Sequence, residues 1–113
     1  MAEIDHTLPI VSLSSVADLL KAKIRTLRMY EDKKLLPRKE GHTKKLYSLN
    51  DIQQIELVHY LASVKKVNAN GIREILALYH DALDDDARKR LHEEAEKGLR
   101  QSDAEETEVS ETL

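Results

Sequence analysis

Apolar residues recur along this chain in short groups with helical spacing, separated by polar stretches rich in lysine. Residues 10–13 are a brief apolar run that fits an edge strand. Val16, Ala17, Leu19 and Leu20 then give a first short helix its buried stripe, with Ser14 or Ser15 placed to cap it. Lys21, Ala22 and Lys23 read as a turn. In residues 23–31, Ile24 and Leu27 lie three apart and turn inward together, which leaves Arg25, Arg28 and Tyr30 on or near the outward side. Two short helices joined by about three residues, the second carrying arginines, form a helix-turn-helix pattern.

Pro37 disfavours a helical Leu36 and so predicts the stop of the second helix. Residues 39–47 read as a hairpin turning near Gly41, with Lys44 and Lys45 side by side on its tip and returning strand and Leu46 facing the core. A basic hairpin directly after a helix-turn-helix is a wing. Ser48 and Asp51 fit a capping box ahead of a helix whose apolar positions are Ile52, Ile55, Val58 and Leu61 or Ala62. Lys65 and Lys66 break that pattern. Asn68 caps a further helix with Ile72, Ile75, Leu76 and Tyr79 on its inner face. Asp84, Asp85 and Asp86 suit the N-terminus of a last helix, in which Ala87, Leu91, Ala95 and Leu99 recur every fourth residue. That narrow stripe fits either a dimerisation helix or a helix docked on its own domain. The expected organisation is a flexible leader (1–9), a DNA-binding domain (10–80), a C-terminal helix (81–100) and an acidic disordered tail (101–113).

Composition narrows the function classes. A chain of 113 residues with 4% aromatics and no Trp or Phe builds its core from Leu, Ile, Val and Ala, so a dimer or a bound partner would add needed stability. The absence of Cys removes disulfides, thiolate metal sites and cysteine nucleophiles together. No basic leader or membrane-length apolar run is evident, and a cytoplasmic protein is expected. The net charge of −3 hides an asymmetry: residues 21–45 hold ten Lys and Arg against three Asp and Glu, whereas residues 81–113 hold five against twelve. A basic concentration of that kind is the electrostatic footprint of a surface that neutralises phosphates. The histidines, His6, His42, His59, His80 and His92, are scattered without close metal-ligand spacing, and no Ser or Asp stands in a nucleophile setting. An enzyme is therefore not expected, nor any cofactor or metal.

Several of these segments together resemble the MerR family of bacterial transcriptional regulators. The residues that carry the resemblance are 11–17 (VSLSSVA), 25–31 (RTLRMYE), 35–38 (LLPR), 44–48 (KKLYS) with Asp51 and Ile52, and 71–76 (GIREIL). It implies a mainly α fold: a winged helix-turn-helix with a small two- or three-stranded wing and a C-terminal dimerisation helix. It also implies a homodimer on double-stranded DNA at a palindromic promoter element, in the bacterial nucleoid. Transferred residue by residue, Arg25 and Thr26 would meet the major groove, with Lys23 at the start of the same helix. Arg28 and Tyr30 would meet backbone or base edges, Lys44, Lys45 and Tyr47 would form the wing, and Lys65 and Lys66 would face phosphate. Ala87, Leu91, Ala95 and Leu99 would form the dimer seam.

Three positions depart from the family pattern. Met29 stands where a tyrosine is usual and reads as a packing residue. Lys45 replaces a common arginine, which leaves a point charge in place of a bidentate fork. Lys21 and Lys23 replace a frequent Gly and Ser, which predicts an altered turn or cap. Among short cysteine-free members, the heat-shock repressors share the Val67-Asn68-x-x-Gly71-Ile72 pattern, and the glutamine synthetase regulators are also similar. Both imply a repressor governed by a protein co-regulator, a chaperone or an enzyme. Two other functions fit the same fold: a protein-interaction module that binds a chaperone or enzyme without DNA, and an excisionase-like protein that bends DNA.

Overall fold

The computed structural model describes residues 5–37, 45–102, 109 and 113. The element order is β1 (Val11–Ser12), α1 (Leu13–Leu20), α2 (Ile24–Asp32), β2 (Leu46–Tyr47), α3 (Leu49–Ser63), α4 (Ala69–Asp81) and α5 (Asp85–Ser102). The chain is mainly helical, as expected, and it forms two compact units, Met1–Ile55 and Glu56–Leu113.

In the first unit β1 and β2 pair antiparallel, Val11 opposite Tyr47 and Ser12 opposite Leu46, and the Ile10 N–H donates to the Tyr47 carbonyl at 3.2 Å. The expected edge strand is thus present, and its partner is the strand that leads out of the basic segment. The turn near Gly41 lies outside the described residues. Of the two β2 side chains it is Tyr47, 1% exposed, that is buried, whereas Leu46 is half-buried. This reverses the expected orientation. The cap of α1 is Ser12 rather than Ser14 or Ser15: its hydroxyl accepts from the Ser15 N–H at 3.2 Å. Because Ser12 already belongs to the strand, strand and helix follow one another without a loop.

The C-terminal ends of α1, α2 and α3 are built on lysine. Lys21 (φ 57), Lys34 (φ 62) and Lys66 (φ 59) are the described non-glycine residues with positive φ, and each lies just past the end of a helix. The reversed chain then returns its amides to the last turn. Ala22 N–H bonds the Ala17 carbonyl at 2.9 Å, Leu35 the Tyr30 carbonyl at 2.9 Å, and Val67 the Leu61 carbonyl at 2.9 Å. Glycine is the usual residue for this geometry. Lysine accepts the cost of the left-handed conformation and sets a positive charge against the negative end of the helix dipole. The second helix accordingly ends at Asp32, before Pro37 can act.

Local capping elsewhere follows the sequence. At the start of α3 the Ser48 N–H donates to Asp51 Oδ2 at 2.9 Å and the Asp51 N–H donates to Ser48 Oγ at 3.1 Å, a reciprocal box. Asn68 Oδ1 accepts from Gly71 N–H at 2.8 Å to open α4, and Asp84 Oδ1 accepts from Ala87 N–H at 2.8 Å to open α5. From residue 57 to 63 every side chain of α3 is buried, His59 and Ser63 included, as suits a helix enclosed on all sides. The Ser63 hydroxyl donates to the His59 carbonyl at 2.6 Å.

In the second unit α5 docks on α3 and α4. Arg88 Nε donates to the Tyr79 carbonyl at 2.8 Å and Nη2 to the His80 carbonyl at 3.2 Å, closing the C-terminal end of α4, while its guanidinium stands 5.5 Å from the centre of the Tyr79 ring. The Tyr79 hydroxyl is hydrogen-bonded to His92 Nε2. Ala95 is fully buried within this unit, so its side chain is not on offer to a second chain, contrary to its expected place in a dimer seam. The reason is the close approach of α5: Gly98, three residues further on, lies against the Tyr60 ring. Ala87, Leu91 and Leu99 are half-buried and keep part of their surface.

Candidate nucleic-acid interface

The helix-turn-helix is formed by α1 and α2. Its turn is closed by Lys21 in the left-handed conformation, and Lys23, extended at φ −79 and ψ 140, stands at the N-cap of α2 without a side-chain hydrogen bond to the helix. A lysine cannot accept from the orphan amides of a first turn as Ser would, so the cap is altered as its composition implies. The Thr26 N–H is instead bonded to the Lys23 carbonyl at 2.9 Å, and an exposed lysine at the positive end of the helix dipole favours an anion there.

Along α2 the side chains divide by the helical repeat. Leu27 and Tyr30 are fully buried, Ile24, Thr26 and Met29 are half-buried, and Lys23, Arg25 and Arg28 are exposed. Among the described residues Arg25 and Arg28 make no ion pair, so two planar forks stand free on one helix one turn apart. Tyr30 is a correction. It was expected near the outward side, yet it lies almost a full turn beyond Leu27 and almost half a turn from Arg28, which carries it to the core face. Burial pushes its hydroxyl pKa well above the ordinary tyrosine value.

Tyr47 is the second correction. It is buried on the strand, with its pKa pushed up to about 12 by burial first and then by the nearby charges of Glu31 and Asp51. Neither tyrosine presents a hydroxyl to a ligand surface. Lys44 lies outside the described residues. Lys45 is exposed, and its ammonium is bonded to Glu31 Oε2 at 2.8 Å, with the two side chains 51% and 29% exposed. Glu31, in the last turn of α2, closes the 25–31 motif, but its pairing with Lys45 has no signal in the sequence. The pair joins residues fourteen apart, beyond any helical or strand period.

Lys65 and Lys66 belong to the second unit and are both exposed, on the turn between α3 and α4. The Lys65 ammonium stands 5.9 Å from the centre of the Tyr60 ring, which orients it, and Lys66 holds the left-handed position. Among the described residues no group of three or more His, Asp or Glu could hold a metal ion. Nor is any described helix long and apolar enough to cross a membrane.

The comparisons with known proteins agree with this geometry. The family model described as MerR HTH family regulatory protein matches residues 11–78. Among solved structures the chain is similar to the transcription regulator PbrR691 from Ralstonia metallidurans CH34, determined in complex with lead(II). The identity is 22%, the TM-score 0.56, and the likeness covers 82% of this chain and 74% of that one. At that identity the likeness speaks to the fold. No curated protein matches the chain. A family match that takes in β1, both helices of the helix-turn-helix, α3 and nearly all of α4 is more than half of the molecule, and this protein belongs to the MerR family of helix-turn-helix transcriptional regulators.

Proposed function

We propose that this regulator is a repressor that acts as a homodimer on a palindromic promoter element in the bacterial nucleoid, under the control of a protein partner. The observation that carries the DNA reading is the exposure of Arg25 and Arg28 on the second helix of the helix-turn-helix, without an ion pair among the described residues. In the proposal Arg25 and Thr26 read base edges in the major groove, while Arg28, Lys23, Lys44, Lys45, Lys65 and Lys66 engage phosphate. Arginine at a guanine edge discriminates by about 1–3 kcal/mol, whereas lysine on phosphate attracts every sequence alike. The DNA-binding part runs over residues 10–80, and the helix of residues 81–100 joins the two copies through Leu91, Leu99 and Ala87. The partner reading rests on the absence of cysteine and on the Val67–Ile72 pattern shared with chaperone-controlled repressors.

Genomic fragments retained by the full chain supply the operator, and titration of that duplex at several salt concentrations tests the division of roles. Arg25→Ala should bring binding of the operator down to the level of a random duplex. Lys66→Ala should weaken both duplexes alike and flatten the salt dependence by about 0.9 in logarithmic slope. Equal loss of sequence preference in the two variants would refute the assignment.

One observation favours a second reading, a module that binds a protein without DNA. Ala95 is spent inside its own unit, which leaves a small seam for dimerisation. Failure to retain any duplex at low salt, together with capture of a chaperone or enzyme through the C-terminal helix, would select it.

A further inference from the structure

The ion pair between Lys45 and Glu31 has no part in the helix-turn-helix itself. It ties the segment entering β2 to the last turn of α2, at 2.8 Å, on partly exposed side chains. The two groups lie within residues 21–45, the stretch in which ten Lys and Arg stand against three Asp and Glu. A carboxylate bonded to a phosphate-binding lysine is a liability for affinity, since it repels the ligand and occupies a donor. Its benefit must lie elsewhere.

We propose that Glu31 is a specificity-determining residue: it holds the Lys45 ammonium in one position, so that this lysine contributes fully only where a phosphate stands in register with the docked helix α2. The inference rests on the DNA reading given above. An ammonium has three donors, and Glu31 takes one. Two remain for a phosphate oxygen, provided that the phosphate comes to the ammonium. On a correctly docked duplex the spacing of α2 in the groove brings it there, and the lysine bridges carboxylate and phosphate. On a random duplex the protein shifts from register to register, and a lysine held by Glu31 cannot follow the backbone as a free one would. Non-specific binding is almost wholly electrostatic, so one restrained cation and one added anion weaken it directly. The restraint is small, because a partly exposed pair changes a binding constant by a few-fold rather than by orders of magnitude.

The test uses the full chain, a random-sequence duplex and the duplex recovered by genomic selection, with anisotropy titrations over a salt series. Glu31→Gln should tighten the random duplex by about three- to fivefold. It should also steepen its logarithmic salt slope by about 0.9, one phosphate's worth. Binding to the selected duplex should change by less than about twofold, so that the ratio of the two affinities falls. Lys45→Gln should cost more random-duplex affinity in the Glu31→Gln background than in the native chain, and Glu31→Asp should restore the native slope. A purely structural role for the pair would lower thermal stability and move both duplexes together, leaving their ratio and the slope unchanged. That result overturns the inference while the DNA reading stands. If the native chain binds neither duplex, the DNA reading falls and this inference falls with it.

Discussion

The docking of α5 gives the sharpest single test of the packing described here. At Gly98 a methyl group would overlap Cε1 of Tyr60 and lie 2.8 Å from Cδ1 and 3.3 Å from Cζ. Two effects oppose one another in Gly98→Ala. Alanine is better than glycine inside a helix by about 1 kcal/mol. Overfilling a packed contact costs about 1–3 kcal/mol, and which end of that range applies depends on whether the neighbour can move. Tyr60 is 4% exposed and sits in the stretch of α3 that is buried on all sides, so its ring has nowhere to swing. We expect the steric cost to win by about 1–2 kcal/mol, which for a chain of this size lowers Tm by roughly 4–8 °C. Thermal and urea melts followed by far-UV circular dichroism read the effect. The same change in a Tyr60→Leu background removes the clash and should reverse sign, stabilising that variant through helix propensity alone. A gain in stability from Gly98→Ala in the native background would mean that α5 does not pack on Tyr60, and the burial of Ala95 would have to be abandoned with it.

Four further outcomes are expected. Burial lowers the His59 pKa from 6.5 to about 4, so its contribution to stability is present above 6.5 and is lost as pH falls through that window toward 4. The loss is on the order of 3 kcal/mol, and His59→Leu should flatten the difference between urea midpoints measured at about pH 7 and about pH 4.5. Lys23→Ser supplies the missing N-cap oxygen and should raise stability by about 0.5–2 kcal/mol in the same melts, while flattening the salt slope of duplex binding if the ammonium meets phosphate. Lys21→Gly relieves a left-handed lysine and should stabilise by about 1 kcal/mol; a loss would show that the dipole contact outweighs the strain. Tyr30→Phe alters an interior residue, so duplex affinity and salt slope of the folded protein should stay within about twofold, and a large loss would return Tyr30 to the interface.

The sequence alone determined whatever depends on neighbours within one helical turn. The Ser48–Asp51 box, the Asn68 cap and the aspartate-rich start of α5 are legible because donor and acceptor are three residues apart, and no distant segment is needed to bring them together. The outward orientation of Arg25 and Arg28 was legible for the same reason, as was the family, whose motifs are themselves local. Tyr30 is local in the same sense: its three-residue spacing from Leu27 places it on the buried side of the helix. Tertiary structure decided the rest. Which face of a two-residue strand is buried depends on what it pairs with, and Tyr47 is interior because β2 lies against β1 at the far end of the helix-turn-helix segment. The fate of Lys45 depends on a carboxylate fourteen residues earlier that only the fold brings within 2.8 Å. Ala95 reads as a seam residue until α5 is seen to fold back on its own unit, because an apolar stripe states that a face will be covered and leaves open what covers it. The helix ends escaped for the opposite reason. Glycine would have announced the left-handed positions, and this chain fills them with lysine, whose charge serves the helix terminus while its backbone gives no sign of the turn.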